Sequence, residues 1–146
     1  MSPNESNAGR EAGVRISTNA ADIDLEWLVP ALSERAYWAQ GRPRDVIVAS
    51  IERSLCFSAF DGDRQVGFAR VVTDEATFGW VCDVFVDEGA RGLGIGTLLI
   101  QTIVEDSRLR DLRRLVLATR DAHEVYARAG FVPLPYPERF MIRHRE

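Results

Sequence analysis

The sequence of 146 residues contains no lysine, and all 18 of its basic residues are arginine. The absence of lysine therefore excludes a nucleotide-binding loop of the kind that contacts phosphates through a lysine side chain. No apolar run is long enough to cross a membrane, so we expect no membrane partner. The net charge of −4 provides no broad positive field, so we expect no nucleic-acid partner either.

Cysteine and histidine are scarce, with two of each. Cys56 and Cys82 lie in apolar, strand-like runs, which indicates buried thiols in a reducing compartment and not a disulfide framework. The two histidines lack the spacing of zinc ligands, so we expect no metal. The N-terminus is polar and lacks the layout of a secretory signal. We expect a cytoplasmic protein with a disordered tail over residues 1–12 and a single domain over residues 13–146.

The hydrophobic periodicity predicts one strand, two helices, three strands, a helix, a strand, a helix and a last strand. The predicted strands span residues 13–18, 55–60, 65–72, 77–86, 113–119 and 140–142. Pro30 predicts a kink or a break in the first helix. The strand over residues 77–86 is apolar on both faces, which predicts a central position in the sheet.

A glycine-rich loop, Arg91-Gly92-Leu93-Gly94-Ile95-Gly96, joins the strand that ends at Val86 to the next helix. Its three glycines leave backbone N–H groups accessible, and a helix N-terminus favours an anion. Arg91 adds a positive charge with a fork of donors suited to phosphate oxygens. A flexible turn is the alternative, but the alternate glycines and the arginine favour a phosphate site. A dinucleotide-binding fingerprint is disfavoured because Thr97 stands where its third glycine belongs.

This loop resembles the Arg/Gln-x-x-Gly-x-Gly/Ala motif of the GNAT superfamily of acyl-CoA-dependent N-acetyltransferases. Downstream, Thr119-Arg120-Asp121-Ala122, Val125-Tyr126 and Gly130-Phe131 are similar to the family's Asn-x-x-Ala, apolar-Tyr and Gly-Phe segments. Thr119 replaces the usual asparagine, and His123 replaces an aliphatic residue. The resemblance implies an α/β fold with a central mixed β-sheet, flanked by about four helices and splayed between the strands ending at Val86 and Thr119.

The resemblance also implies acetyl-CoA as co-substrate, bound in the gap of the splayed sheet. Its pyrophosphate would rest on the loop amides, and its pantetheine arm would pair with the preceding strand like an added strand. The implied contacts are Val84, Phe85, Val86, Arg91, Gly92, Leu93, Gly94, Ile95, Gly96, Thr97, Thr119, His123 and Tyr126.

The chemistry that the resemblance implies is direct attack by a deprotonated primary amine. Tyr126 would protonate the departing thiolate, and a backbone amide near Phe85 or Val86 would stabilise the oxyanion. A purely packing role for the Tyr126 ring is the alternative. Asp83 is a second catalytic candidate, because desolvation in an apolar strand would raise its pKa toward that of a useful base. A structural ion pair with Arg70 or another arginine is the open alternative.

For the acceptor, Tyr37 and Trp38 suggest an aromatic pocket, and Asp74, Glu75 or Asp83 would attract a cationic amine. A small amine, a peptide N-terminus and a protein lysine all remain open, and a homodimer is plausible. The alternative function is a non-catalytic acyl-CoA-binding sensor or interaction module with the same fold.

Overall fold

A computed structural model describes residues 13–145, which contain five strands and four α-helices. The strands are β1 (Val14–Ser17), β2 (Leu55–Asp61), β3 (Arg64–Thr73), β4 (Phe78–Val86) and β5 (Arg114–Val116). The helices are α1 (Leu25–Pro30), α2 (Arg44–Glu52), α3 (Ile95–Glu105) and α4 (His123–Ala127). The predicted tail over residues 1–12 lies outside the described residues.

Two residues that are recognisable in the sequence, Asp24 and Pro30, determine where the first helix begins and where its winding changes. The Asp24 carboxylate accepts hydrogen bonds of 3.1 and 3.3 Å from two backbone N–H groups of the first turn of α1, which satisfies amides that lack a helical partner. Pro30 has no backbone N–H. After it the chain widens into a π-helical turn over Ala31–Arg35, so the helix changes its winding without breaking.

The predicted mixed sheet is confirmed, with strand order β1-β2-β3-β4-β5. The first four strands are antiparallel neighbours, and β5 runs parallel to β4. The strands β2 and β3 form a hairpin, and Gly62 takes a φ of +63° in its turn. As predicted, β4 has a strand on either side.

Two hydrophobic clusters cover the two faces of the sheet. The first includes Phe57, Leu99 and Ile103 and lies under α3, and the second includes Leu28 and Ile47 and lies under α1 and α2. Each such fully buried side chain contributes roughly 1.5–3 kcal/mol relative to an exposed one. The sheet is thereby fixed between α3 on one side and α1 and α2 on the other.

A bulge in β4 changes which face its side chains occupy. Its pairing with β3 leaves Asp83 and Val84 opposite the single residue Ala69. Asp83 has a φ of +53°, in the left-handed region that costs a non-glycine residue roughly 1–2 kcal/mol. Val81 belongs to the cluster under α3 and Phe85 to the other cluster, although strict alternation would place both on one face. The bulge thus turns Asp83 toward α1 and α2.

The parallel strands β4 and β5 pair only at their beginnings. Phe78–Trp80 pairs with Arg114–Val116, and within the described residues the pairing ends there. Gly79 permits this close approach, because a Cβ at that position would stand 2.6 Å from Leu115 Cδ2. Residues 81–86 of β4 therefore present a backbone edge with no strand beside it, and this gap is the splay that the family resemblance implies.

The C-terminal part of the chain departs from the prediction. β5 ends at Val116 and not at residue 119, since its partner strand has diverged. The predicted strand over residues 140–142 is wrong: the segment is not a strand, and the Met141 side chain is 97% exposed. Three prolines precede it, and Tyr136 has a φ of +54°, so the chain turns away from the sheet. A cavity of about 1420 Å³ remains among β5, α4 and this segment.

Candidate functional site

The glycine loop leads from β4 into the N-terminus of α3. Gly92 and Gly94 have φ of +86° and +77°, a conformation that glycine adopts without strain. The first helical hydrogen bond runs from Leu98 N–H to the Gly94 carbonyl, at 2.9 Å. The amides of Ile95, Gly96 and Thr97 precede that bond and face the end of the helix. The loop therefore offers three backbone donors at the positive end of the helix dipole.

No side chain covers the backbone of this loop at Gly92 or Gly96. A Cβ at Gly92 would meet no atom within 4 Å, and one at Gly96 would meet only Val86 Cγ2, at 4.0 Å. Leu93 is 42% exposed. A phosphate group could therefore approach the amides closely, as the predicted cofactor contacts require.

Arg91 lies between the loop and the open edge of β4. Its Nε donates a 3.1 Å hydrogen bond to the Val86 carbonyl, and its guanidinium carbon is 5.9 Å from the centre of the Phe85 ring. The guanidinium of Arg35 lies 5.5 Å from that same ring centre. Arg91 is thus adjacent to the amides that it was predicted to assist.

The β4 edge from Val84 to Val86 faces the gap on one side only. On its other side Phe85 pairs with Phe68, and Val86 pairs with Gly67. Exposed backbone groups of this kind accept an added extended chain. The edge is thus available to the predicted pantetheine arm.

Asp83 is held by three donors from distant parts of the chain. Its Oδ2 accepts hydrogen bonds from Arg70 Nε at 2.7 Å and from Arg42 Nη1 at 2.8 Å, and its Oδ1 accepts one from Trp38 Nε1 at 2.8 Å. Burial opposes ionisation of the carboxyl, but the hydrogen bonds and charges of the two arginines outweigh it and hold its pKa below the usual value.

The expected rise in the pKa of Asp83 is therefore wrong in direction, because the expectation lacked the two arginines. The ion-pair alternative is confirmed, with Arg42 as a second cation that the sequence did not point to. A carboxylate that is 1% exposed in its side chain and already accepts three hydrogen bonds is a poor proton acceptor. Asp83 fixes the loop before α2 against the bulge of β4.

Tyr126 lies on α4, against the cluster under α3. Its ring packs edge-on against Phe131, with ring centres 6.0 Å apart, and Phe131 N–H donates to the Tyr126 carbonyl at 3.1 Å. Burial, with smaller effects from Tyr37 and Asp121, raises the pKa of Tyr126 to about 12. The phenol therefore keeps its proton at neutral pH and remains a hydrogen-bond donor.

Two other predicted cofactor contacts lie just before Tyr126. Thr119 Oγ1 accepts hydrogen bonds from the backbone N–H of Asp121 at 3.4 Å and of Ala122 at 3.1 Å, so this hydroxyl caps the turn that leads into α4. His123 is the first residue of α4 and is exposed. The side chains of Thr119, His123 and Tyr126 border the cavity beside β5.

The predicted acceptor residues are only partly brought together. Tyr37 and Trp38 pack edge to face, with ring centres 4.9 Å apart. Asp74 lies in the turn between β3 and β4, at the opposite end of β4 from Asp83. Its carboxylate accepts the backbone N–H groups of that turn, chiefly that of Thr77, which lower its pKa. Asp74 is a turn-forming residue, and the structure does not place it beside the aromatic pair.

The loop that follows β5 meets this aromatic pair. Arg120 N–H donates a 3.2 Å hydrogen bond to the Tyr37 hydroxyl, and the Arg120 guanidinium carbon lies 3.8 Å from the centre of the Tyr37 ring. This contact joins residues that are 83 positions apart in the sequence. Sequence reasoning missed Arg120 as a neighbour of the predicted acceptor residues, because no local pattern indicates a contact between such distant positions.

Neither a metal centre nor a membrane span is found over residues 13–145. No group of three or more histidine, cysteine, aspartate or glutamate side chains in this range could hold a metal ion. No helix in it is both long and apolar enough to cross a bilayer.

Comparison with known proteins assigns the chain to a family. A model of the acetyltransferase (GNAT) family matches residues 21–131. A crystal structure from Xanthomonas campestris pv. campestris, of a protein described as belonging to the GNAT family, superposes with a TM-score of 0.87. It is 40% identical, over 90% of this chain and 93% of that one.

Two curated relatives carry acetyltransferase names. One from Gibberella zeae is 28% identical over an alignment of 133 positions, and the match covers 77% of this chain and 75% of the relative. The histone acetyltransferase TAP1 of Glycine max is 27% identical over an alignment of 129 positions, and the match covers 80% of this chain but only 55% of that protein. The chain thus spans about half the length of the soybean protein.

Proposed function

Because the chain belongs to the GNAT family of acetyltransferases, we propose that it transfers an acetyl group from acetyl-CoA to a primary amine by direct attack. The single observation that carries this proposal is the unpaired edge of β4, which leads straight into an open glycine loop at the N-terminus of α3. An extended arm that ends in a pyrophosphate fits that pair of features.

The residues that would hold acetyl-CoA divide into three groups. The amides of Ile95, Gly96 and Thr97, together with Arg91, would bind the pyrophosphate. The backbone between Val84 and Val86 would pair with the pantetheine arm. Thr119 and His123 would border the arm from the loop after β5.

Bound acetyl-CoA would supply a thioester, at whose carbonyl carbon a C–N bond to the amine forms while the C–S bond breaks. Tyr126 would give its phenolic proton to the departing sulfur, since burial keeps that proton in place at neutral pH. The proton that the nitrogen loses would return to the phenolate through solvent. A backbone N–H near Phe85 or Val86 would stabilise the charge on the carbonyl oxygen.

The test is the release of coenzyme A thiol from acetyl-CoA in the presence of a panel of primary amines, with the acetylated product identified by mass spectrometry. We expect amine-dependent thiol release and a product heavier by one acetyl group. Saturable binding of acetyl-CoA without turnover of any amine would favour the alternative, a sensor or interaction module. Absence of acetyl-CoA binding would overturn the proposal.

A further inference from the structure

The acceptor side of the gap carries an excess of positive charge. Asp83 supplies one negative charge and contacts two arginines, Arg42 and Arg70, so the cluster as a whole is cationic. Its carboxylate is 1% exposed and cannot attract a ligand through solvent. The expectation that carboxylates here would attract a cationic amine is therefore not supported by the charges in place.

Arg42 is the member of this cluster that a ligand can reach. Its side chain is 22% exposed, compared with 13% for Arg70. Within residues 13–145, the Arg42 side chain forms one hydrogen bond, from Nη1 to Asp83. A guanidinium carries five N–H donors in a fixed fork, so donors remain for an anionic group of a ligand.

Arg120 supplies a second positive charge, next to Tyr37. Its guanidinium lies over the Tyr37 ring, and its side chain is 65% exposed. The carboxylate that it approaches, that of Asp121, is 4.0 Å away and is itself 68% exposed, so this pair is weakly held. Each residue of the aromatic pair thus has an arginine near it: Arg120 contacts Tyr37, and Arg42 shares the Asp83 carboxylate with Trp38.

We propose, on the basis of the acetyl transfer proposed above, that the acceptor is a small amine that also carries a carboxylate, which Arg42 binds and Arg120 attracts electrostatically beside Trp38 and Tyr37. Paired N–H groups of a guanidinium match the two oxygens of a carboxylate. An acceptor with several amines, such as a polyamine, would place a further cation against the same arginines and is disfavoured.

The same charges favour the reactive form of the acceptor. A positive charge near an amine disfavours its ammonium form and raises the fraction that is deprotonated. The nucleophile would then need no dedicated carboxylate base, which agrees with an Asp83 whose oxygens are already engaged by three donors.

The test compares matched acceptors that differ only in the anionic group. Free amino acids, for example phenylalanine and glutamine, are assayed beside their carboxamides and their decarboxylated amines. We expect kcat/KM for the carboxylate-bearing members to exceed that of the carboxamides by about tenfold or more, on the scale of a charge-assisted hydrogen bond. This preference would hold although the carboxamides have the less basic, more readily deprotonated amines.

The variants Arg42→Gln and Arg120→Gln should each lower the ratio of carboxylate to carboxamide kcat/KM several-fold. Arg53→Gln is the matched control, because Arg53 is exposed at the end of α2, and it should leave that ratio unchanged. A ratio near one in the wild type, or one that neither arginine variant changes, would overturn the inference.

The two proposals fail in different ways. If acetyl-CoA binds and carboxamides or plain amines are acetylated while amino acids are not, the inference about the acceptor fails and the acetyl transfer stands. If acetyl-CoA binds and no amine of any series is acetylated, the acceptor inference is overturned and the chain is better described as a sensor. If acetyl-CoA does not bind, both proposals fail.

Discussion

The Trp38 indole N–H donates a 2.8 Å hydrogen bond to the Asp83 carboxylate, and this bond joins the loop between α1 and α2 to the bulge of β4. The bulge also lies within residues 81–86, the segment of β4 that faces the gap. A single buried carboxylate thus fixes an aromatic residue of the predicted acceptor pocket relative to the predicted cofactor edge. Asp83 positions these elements, so its substitution should first lower the free energy of unfolding.

Asp83→Asn should lower the free energy of unfolding by about 3 kcal/mol, because Arg42 and Arg70 would keep their charges without a buried counter-charge. Urea denaturation followed by circular dichroism measures this change. Asp63→Asn, in the exposed turn between β2 and β3, is the control and should change stability by less than about 0.5 kcal/mol. Equal stability of the two variants would contradict the positional role.

The free energy of unfolding of the wild-type protein should also fall in acid, because protonation of Asp83 removes the same buried counter-charge. Arg70 and Arg42 hold the pKa of Asp83 below its ordinary 3.8, so its contribution is fully present above that pH. The contribution is lost as the pH falls through the lowered pKa of the folded state. Unfolding free energies measured from about pH 5 to about pH 2 should fall less in Asp83→Asn than in the wild type. Parallel profiles for the two proteins would exclude Asp83 as a source of acid sensitivity.

Tyr126→Phe should lower kcat at saturating acetyl-CoA by roughly 10²-fold or more, which is typical of the loss of a general acid. The phenylalanine ring keeps the edge contact with Phe131, so the melting temperature should stay nearly constant. Steady-state kinetics and thermal unfolding are measured on the same preparation. A wild-type kcat would assign Tyr126 to packing alone.

Gly96→Ala should weaken the binding of acetyl-CoA without lowering the stability of the protein. Space is available for the new Cβ, whose nearest neighbour is Val86 Cγ2 at 4.0 Å, and alanine favours the helix by about 0.5–1 kcal/mol. The methyl group would lie where the pyrophosphate must approach the amides, so the Kd for acetyl-CoA should rise by about tenfold. Gly89→Ala, with no atom within 4 Å of its Cβ, is the control. Unchanged affinity in Gly96→Ala would place the pyrophosphate elsewhere.

Gly79→Ala should destabilise the protein by about 1–3 kcal/mol through overpacking. Its Cβ would stand 2.6 Å from Leu115 Cδ2 and 3.2 Å from Val71 Cγ1, so the Leu115 side chain must shift within the packed contact between β4 and β5. Chemical denaturation measures the loss, with Gly89→Ala again as the control. An unaltered unfolding free energy would show that the Leu115 side chain moves aside without cost.

Both cysteines should react slowly with a thiol reagent in the folded protein. Burial raises the pKa of Cys56 and of Cys82 to about 11, so little thiolate exists at neutral pH. Titration with dithionitrobenzoate should detect the two thiols promptly only after unfolding. Fast reaction of either thiol in the native state would contradict this account.

The sequence predicted those parts of the site whose conformation depends on neighbouring residues in the chain. The glycine loop lies within one strand-to-helix connection, and the residues from Tyr126 to Gly130-Phe131 lie within α4 and the turn that ends it. Their backbone conformations follow from the residues themselves, as at Gly94, whose φ of +77° opens α3. The order of strands and helices followed from hydrophobic periodicity for the same reason.

The environment of Asp83 could not be predicted in that way. Its three partners lie 13, 41 and 45 positions away, and only the bulge turns the carboxylate toward them. The role of Asp74 could have been predicted, because an aspartate in a short connection between two strands is typical of a side-chain-capped turn. The strand predicted over residues 140–142 fails because apolar residues form a strand only where a neighbouring edge pairs with them.

The most direct test of the central claim is titration of the wild-type protein with acetyl-CoA in a calorimeter. We expect saturable binding at one site per chain, with affinity that falls in Gly96→Ala and persists in Tyr126→Phe. Absence of saturable binding by a folded wild-type protein would contradict the assignment of the gap between β4 and β5, and of the glycine loop at its end, to acetyl-CoA.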